Sequence, residues 1–108
     1  MTLNEVPTAA QHGATPIVVV VNNGRYGTIR MHQEKHYPGR VSGTMLANPD
    51  FAALAVAYGG HGETVTKTAD FAPAFARAKA SGTLAVIELV VSEDALSTSL
   101  TLSGLAKT

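Results

Sequence analysis

Cysteine and tryptophan are absent from this 108-residue sequence, and charged residues make up only 15% of it. The lack of cysteine excludes disulfide bonds and thiolate chemistry. Because 8 basic residues balance 8 acidic ones, the composition gives no basic footprint for nucleic acid or an acidic membrane surface. No apolar run approaches the ~20 residues of a membrane span, and the N-terminus lacks a signal-peptide pattern. We therefore expect a soluble, cytoplasmic protein that binds neither nucleic acid nor membranes.

The sequence does contain short apolar runs separated by helical patterns. The run PIVVVV, residues 16–21, is continuous and β-branched, which is typical of a strand covered on both faces. Further strands are predicted over residues 62–67 and 84–91, with helices near the N-terminus, over 26–36, 48–58 and 70–81, and in the tail. Strands separated by helices favour right-handed crossovers. The predicted fold class is α/β, with three layers: a parallel sheet of about three strands and flanking helices.

Polar residues interrupt these patterns at several places. Asn48, followed by proline and aspartate, is predicted to be the N-cap of the second clear helix. Residues 36–50 contain two glycines and two prolines and predict a long loop, a feature that is often functional. Glu88 interrupts the last strand, where a strand-end or edge position is a simpler interpretation than a catalytic carboxylate.

The stretch VVVVNNGRYGTIR, residues 18–30, holds the candidate site. Ligands of parallel sheets collect at the carboxyl ends of strands, and two asparagines follow Val21 directly. An asparagine oxygen and a turn carbonyl suit Mg²⁺, while backbone N–H groups at a helix start suit phosphate. An ordinary Asn-Gly turn without a ligand is the alternative, and the local pattern alone favours it.

Three stretches together resemble one enzyme family. They are PIVVVVNNGRYGTIR, NPDFAALAVAYGGHGETV and DFAPAFARAKASGTLAVIEL, in that order. The chain is similar over nearly its whole length to the C-terminal cofactor-binding domain of thiamine-diphosphate-dependent enzymes. The resemblance is closest to the branch of acetolactate synthase and benzoylformate decarboxylase. It implies thiamine diphosphate and Mg²⁺ as cofactors and a 2-oxo acid as substrate.

The resemblance also assigns residues. It implies that the Asn23 side-chain oxygen and the Arg25 carbonyl hold Mg²⁺, together with the aspartate of an upstream Gly-Asp-Gly. Backbone N–H groups near Tyr26 and Gly27 would meet the diphosphate. Thr28 and Ile29 would lie nearest the thiazolium ring. The implied cofactor-binding residues are Asn23, Gly24, Arg25, Tyr26, Gly27, Thr28 and Ile29, and none is implied to be catalytic.

The sequence departs from the family pattern because it contains no Gly-Asp dipeptide. We therefore expect residues 1–108 to form a single partial domain, the C-terminal portion of a larger thiamine-diphosphate-binding fold. The metal aspartate of that fold is expected to lie before residue 1. The pyrimidine-binding domain, whose glutamate activates the cofactor, is expected elsewhere, so the chain alone is predicted to be inactive. Because the family builds its sites between subunits, and because a small sheet leaves edges uncovered, a homo-oligomer is expected.

The choice between carboligase and decarboxylase stays open at this stage. Some decarboxylases of the family have a catalytic acid where this sequence has Ile29, which favours the synthase or benzoylformate-like branch. Two readings from another class also remain: a non-catalytic α/β binding or interaction module, and a truncated product without its own function. His32 and His36 are spaced for one helix face, where a polar surface is expected more than a metal pair.

Overall fold

The computed structural model describes residues 3–106. Three strands and five α-helices follow a short 3₁₀ helix in the described residues, and they alternate except where α2 is followed by α3. The elements are α1 (Val6–Gln11), β1 (Ile17–Asn22), α2 (Gly27–His36), α3 (Phe51–Ala57), β2 (His61–Val65), α4 (Phe71–Ala80), β3 (Ala85–Val90) and α5 (Leu102–Ala106). Among these elements, no helix is both long enough and apolar enough to cross a membrane.

The chain forms two compact units. The sheet unit comprises the residues up to Val21 together with Pro49–Val90. The turn unit comprises Asn22–Asn48 together with the residues from Val91 onward.

The sheet unit contains a three-strand parallel sheet in the order β1-β3-β2. Strand β3 pairs with β2 in parallel, from His61 opposite Ala85 to Val65 opposite Leu89. On its other side, Ala85 N–H donates to the Pro16 carbonyl (2.9 Å). Because β3 is central, its first four residues are all buried. The predicted α/β class with a parallel sheet of three strands is confirmed.

Helices cover the two faces of β3. Side chains alternate across a strand, and Ala85 and Ile87 share one buried cluster with Ala74 and Ala78 of α4. The opposite face of β3 points to α3, because the Phe51 N–H at the start of that helix donates to Glu88. The sheet therefore lies between two helical layers.

Glu88 lies in the central strand, so the predicted strand-end or edge position is wrong. The residue is only 7% exposed, and its Oε1 accepts the Phe51 N–H at 3.0 Å. The first N–H groups of a helix have no partner within the helix, and a carboxylate also interacts favourably with the positive end of the helix dipole. Glu88 thus compensates its burial by stabilising the start of α3.

The β1 strand forms as predicted, but the expectation that it is covered on both faces is wrong for the described residues. Val18, Val19 and Val21 are all exposed, Val21 to 65%. The reason is topological, because β1 is an edge strand of this sheet. A continuous β-branched run predicts a strand but does not specify which neighbours cover it.

The predicted Asn48 cap is also wrong. Asp50 is the N-cap of α3, and its Oδ1 accepts the Ala53 N–H at 3.0 Å. Asparagine and aspartate both cap helices well, so residue type alone did not exclude Asn48, two positions before the observed cap.

Candidate functional site

The turn after β1 is built by its two asparagines. Asn22 Oδ1 accepts the Gly24 N–H at 3.0 Å, and Asn23 Oδ1 accepts the Arg25 N–H at 3.3 Å. Side chains of asparagine commonly close turns by bonding the backbone two residues ahead. Gly24 has a φ of +71°, which a residue without Cβ adopts readily. The sequence Asn-Asn-Gly therefore determines the local shape.

A segment of the long loop fixes this turn from a distance in sequence. Tyr26 N–H donates to the Thr44 carbonyl (2.9 Å), and Leu46 N–H donates to the Gly24 carbonyl (2.9 Å). Thr44 is 2% exposed, and its Oγ1 donates to Gln33 Oε1 of α2 at 3.2 Å. The loop is thus a structural partner of the turn. Sequence reasoning noted the loop but did not identify Thr44.

The two asparagines have different surroundings. Asn22 Oδ1 also accepts from the Asn48 side chain at 2.9 Å, and the Asn22 carbonyl accepts the Val91 N–H at 3.0 Å. Among the hydrogen bonds of residues 3–106, Asn23 Oδ1 accepts only the Arg25 N–H of its own turn. Asn22 therefore holds the fold of the turn, whereas Asn23 keeps more of its capacity to accept a ligand.

Helix α2 begins at Gly27, directly after the turn. A Cβ at Gly27 would lie 3.0 Å from Asn23 Nδ2, so the Asn23 amide group lies close to the backbone at the start of α2. Thr28 and Ile29 are exposed in the first turn of the helix. A cleft of about 210 Å³ opens here, lined by Asn23, Gly27, Thr28, Met31, Ala95 and Leu96.

The side chain of Arg25 is engaged with the C-terminal segment. Arg25 Nη2 and Glu93 Oε2 are 2.5 Å apart, with the Arg25 side chain 14% exposed and that of Glu93 56% exposed. The Arg25 Nε is buried and has no hydrogen-bond partner. Glu93 gave no signal in the sequence, because 68 positions separate it from Arg25.

The segment after Glu93 is held by Asp94. Its carboxylate accepts the Ser103 N–H at 2.8 Å and the Ser103 hydroxyl at 2.7 Å, and its carbonyl accepts the Leu102 N–H at 2.8 Å. The hydrogen bonds from Ser103 lower the pKa of Asp94, because they favour the charged form. Asp94 thereby holds the start of α5 next to Glu93.

A second cleft, of about 330 Å³, has walls of mixed charge. It is lined by Arg25, Arg30, Glu34, Glu93, Asp94, Leu102 and Ser103. Arg30 and Glu34 are both buried, and their Nη1 and Oε2 atoms are 2.7 Å apart. Carboxylates outnumber arginines on these walls, so the cleft offers no net positive charge for an anion.

The paired histidines of α2 lie side by side. The rings of His32 and His36 are stacked with centroids 6.2 Å apart. Across residues 3–106, no group of three or more His, Asp or Glu residues is placed to hold a metal ion.

The seven residues expected to bind the cofactor, Asn23–Ile29, form one continuous feature: a turn closed by asparagine, followed by the first turn of a helix. Their assignment to the cofactor stays a prediction. The Tyr26 N–H already donates to the Thr44 carbonyl, so a phosphate group would have to displace that carbonyl or bind to neighbouring N–H groups.

Comparison with known proteins gives consistent matches. Residues 1–89 match the family model described as thiamine pyrophosphate enzyme, C-terminal TPP binding domain. The acetolactate synthase large subunit of Corynebacterium glutamicum is 37% identical over 101 residues, which cover 88% of this chain and 16% of that protein. The large subunit IlvG of Mycobacterium tuberculosis is 33% identical over 86 residues, covering 80% of this chain and 16% of that protein.

A eukaryotic relative matches a shorter segment. The mitochondrial catalytic subunit of acetolactate synthase from Saccharomyces cerevisiae is 39% identical over 67 residues, which cover 62% of this chain and 10% of that protein. The match thus spans about 16% of the length of each of the two bacterial relatives named above. The family model nevertheless covers most of the chain, which belongs to the thiamine pyrophosphate enzymes as a C-terminal TPP binding domain.

Proposed function

We propose that this chain supplies part of the diphosphate and magnesium site of an acetolactate synthase-like enzyme acting on 2-oxo acids. The observation that carries the proposal is the turn from Asn23 to Gly27, whose amide side chain folds over a glycine at the start of a helix. The full activity also requires parts that these residues do not provide. We therefore propose that the chain alone does not turn over substrate.

The turn fits Mg²⁺ in the chemistry of its donors. Mg²⁺ prefers hard oxygen ligands and takes one or two carboxylates together with phosphate oxygens. The Asn23 side-chain oxygen accepts one internal hydrogen bond, from the Arg25 N–H, and an amide oxygen has a second lone pair. We propose that Asn23 and the Arg25 carbonyl are two of the ligands, with the carboxylate provided from outside this turn.

The start of α2 fits a diphosphate. The first N–H groups of a helix lack intrahelical partners and form a positive end. Arg30 N–H makes the first helical bond, to the Tyr26 carbonyl at 2.8 Å. The N–H groups of Gly27, Thr28 and Ile29 precede it, so we propose these as the phosphate donors. A side chain at Gly27 would press on the Asn23 amide and narrow the cleft that the phosphates would enter.

Thiamine diphosphate, when bound, supplies carbanion chemistry at a carbonyl carbon. The exposed Thr28 and Ile29 would then contact the ring of the cofactor and the substrate. Neither side chain ionises near neutral pH, so we propose that these two residues bind and orient the cofactor and substrate instead of acting as an acid or base. The named relatives, acetolactate synthase subunits, favour carboligation over simple decarboxylation.

Calorimetry on the complete polypeptide that contains this sequence tests the proposal. Thiamine diphosphate is titrated with and without Mg²⁺ into the wild type and into an Asn23→Leu variant, which removes the ligand oxygen at similar volume. We expect affinity to depend on Mg²⁺ and to fall about 10- to 100-fold in the variant. Asn4→Leu is the matched control, because Asn4 is exposed and its side chain donates a hydrogen bond to the neighbouring Glu5.

Three results would contradict the proposal. Undiminished binding by Asn23→Leu would remove the assigned metal ligand. Thermal stabilisation by a nucleotide but not by thiamine diphosphate would favour a different binding module. Conversion of pyruvate by the purified 108-residue chain would overturn the proposed inactivity of the chain alone.

A further inference from the structure

We propose that Glu93 is a positioning residue for the cofactor turn, which it holds through Arg25. The inference rests on the proposed function, because the Arg25 carbonyl is the proposed metal ligand. Glu93 lies outside every motif that the sequence resemblance involves, and it belongs to the C-terminal segment of the turn unit.

Both oxygens of the Glu93 carboxylate lie against the turn. Oε2 accepts a hydrogen bond from Arg25 Nη2 at 2.5 Å. Oε1 lies 3.3 Å from the position that a Cβ would take at Gly24. The carboxylate therefore pairs with the Arg25 side chain and lies beside Gly24, where a side chain would meet it in tight contact.

The ion pair differs from an ordinary surface pair. Two exposed partners contribute little to stability, because water and salt screen them. Here the Arg25 side chain is only 14% exposed, and its Nε already lacks an acceptor. Removing Glu93 would leave a mostly buried guanidinium group without its observed partner, which is costly. Arg25 would then have to move toward water, and the backbone of the turn would move with it.

Glu93 is itself held in place by its neighbours. Asp94 binds the backbone and hydroxyl of Ser103 at 2.8 and 2.7 Å, and its own N–H donates to Ser92 Oγ at 3.1 Å. The backbone on each side of Glu93 is therefore constrained. A fixed carboxylate restrains Arg25 more strongly than a mobile one would.

The consequence is a preorganised ligand. Holding a ligand group in its bound conformation before binding reduces the entropy cost of association. Groups that orient metal ligands typically change metal affinity by about 10- to 100-fold when they are removed. Because Glu93 is more exposed than such groups usually are, we expect an effect at the lower end, about tenfold on the Mg²⁺ concentration that half-saturates binding.

The test is a double-mutant cycle in the complete polypeptide. The variants are Glu93→Ala, Arg25→Met and the combination, and Arg25→Met keeps the backbone carbonyl while removing the charge. Calorimetry gives the Mg²⁺ dependence of thiamine diphosphate binding. We expect each single variant to require about tenfold more Mg²⁺, and the double variant to require little more than either single one, because the two residues act as a pair.

A conservative variant and a control separate positioning from general destabilisation. Glu93→Gln retains an acceptor for Arg25, so we expect it to recover part of the affinity that Glu93→Ala loses. Glu5→Ala removes the same charge from an exposed site in the sheet unit and should leave binding unchanged. The thermal unfolding midpoint of each variant without cofactor shows whether affinity changes independently of stability.

Hydrogen exchange of the cofactor-free protein tests the contact without binding. Gly24 and Arg25 donate their N–H groups within the turn, so we expect both to exchange faster in Glu93→Ala than in Glu5→Ala. Unchanged exchange, or additive losses in the cycle, would overturn the role of Glu93. Absence of any thiamine diphosphate binding by the wild type would instead overturn the proposed function, while the exchange rates still decide whether Glu93 orders the turn.

Discussion

Gly62 in β2 lies directly beneath the backbone of Ala52 in α3. A Cβ added at Gly62 would be 2.0 Å from the Ala52 carbonyl oxygen, a distance that no packed structure tolerates. Helix and strand can approach this closely only because the strand has no side chain there. The short distance between α3 and β2 therefore depends on the absence of a side chain at Gly62.

Gly62→Ala should destabilise the protein by roughly 2–4 kcal/mol, because the helix must move away from the strand or the strand must distort. Chemical denaturation followed by circular dichroism measures the free energy of unfolding. Thr64→Ala, at an exposed position of the same strand, is the control and should change stability by less than about 1 kcal/mol. Equal losses in the two variants would contradict the close approach.

Removing the buried carboxylate of Glu88 should weaken the start of α3. In Glu88→Ala the Phe51 N–H loses its acceptor and a small cavity forms, with an expected cost of about 2–3 kcal/mol. Glu88→Gln keeps an acceptor but loses the charge that interacts with the helix dipole, so we expect about 1 kcal/mol. Equilibrium unfolding at neutral pH measures both losses. The exposed Glu5→Gln provides the comparison, and a Glu88→Ala loss no larger than that of Glu5→Gln would refute the capping role.

Acid should weaken the sheet unit through Glu63. Hydrogen bonds from Arg77 and then from His61 lower the pKa of Glu63 below its usual 4.5. A carboxyl group with a lowered pKa contributes stability above 4.5, and that contribution is lost as the pH falls through the lowered value. We expect Glu63→Gln to reduce the slope of unfolding free energy against pH below about 4.5. The slope is measured by denaturation between pH 2 and 6 in steps of roughly one unit. An identical slope in wild type and variant would argue against the ion pair between Glu63 and Arg77 in solution.

The loop that closes the turn should depend on Thr44. Thr44→Val preserves the shape but removes the hydroxyl that donates to Gln33 Oε1, leaving this half-buried acceptor without its donor. We expect a loss of about 1–2 kcal/mol and faster exchange of the Tyr26 N–H, which donates to the Thr44 carbonyl. Thr64→Val on the exposed part of β2 serves as the control. If the Tyr26 N–H exchanges as slowly in Thr44→Val as in the wild type, the Thr44 hydroxyl does not order the turn.

Local patterns predicted most of the elements. The β-branched run before Asn22, the helix over 26–36 and the buried run at the end of the sheet unit all form within a few positions of their predicted bounds. These signals are carried by neighbouring residues. The predicted N-cap of α3 was wrong by two positions. Asparagine and aspartate cap helices about equally well, and only the fold determines that Asp50 is the cap.

Relationships between distant residues were not predictable. Glu88 reads as an interruption of a strand until its partner at the start of α3 is known. The exposure of Val19 follows from strand order, which local sequence does not specify. In the candidate site, the asparagines and glycines were identifiable because they form turns locally. Thr44 and Glu93 were not, since each contacts the turn only after the chain has folded.

The same separation in sequence determines when the turn can be completed. Its asparagines precede the loop residue that closes it, and Glu93 comes 68 residues after Arg25. Contacts between such distant positions form late, because the cost of closing a long loop precedes any gain from the contact. During synthesis, all the strands of the sheet are complete before the last partner of the turn emerges. Glu93 is added after the last residue of β3, so the turn can gain its complete set of contacts only after all three strands have been synthesised.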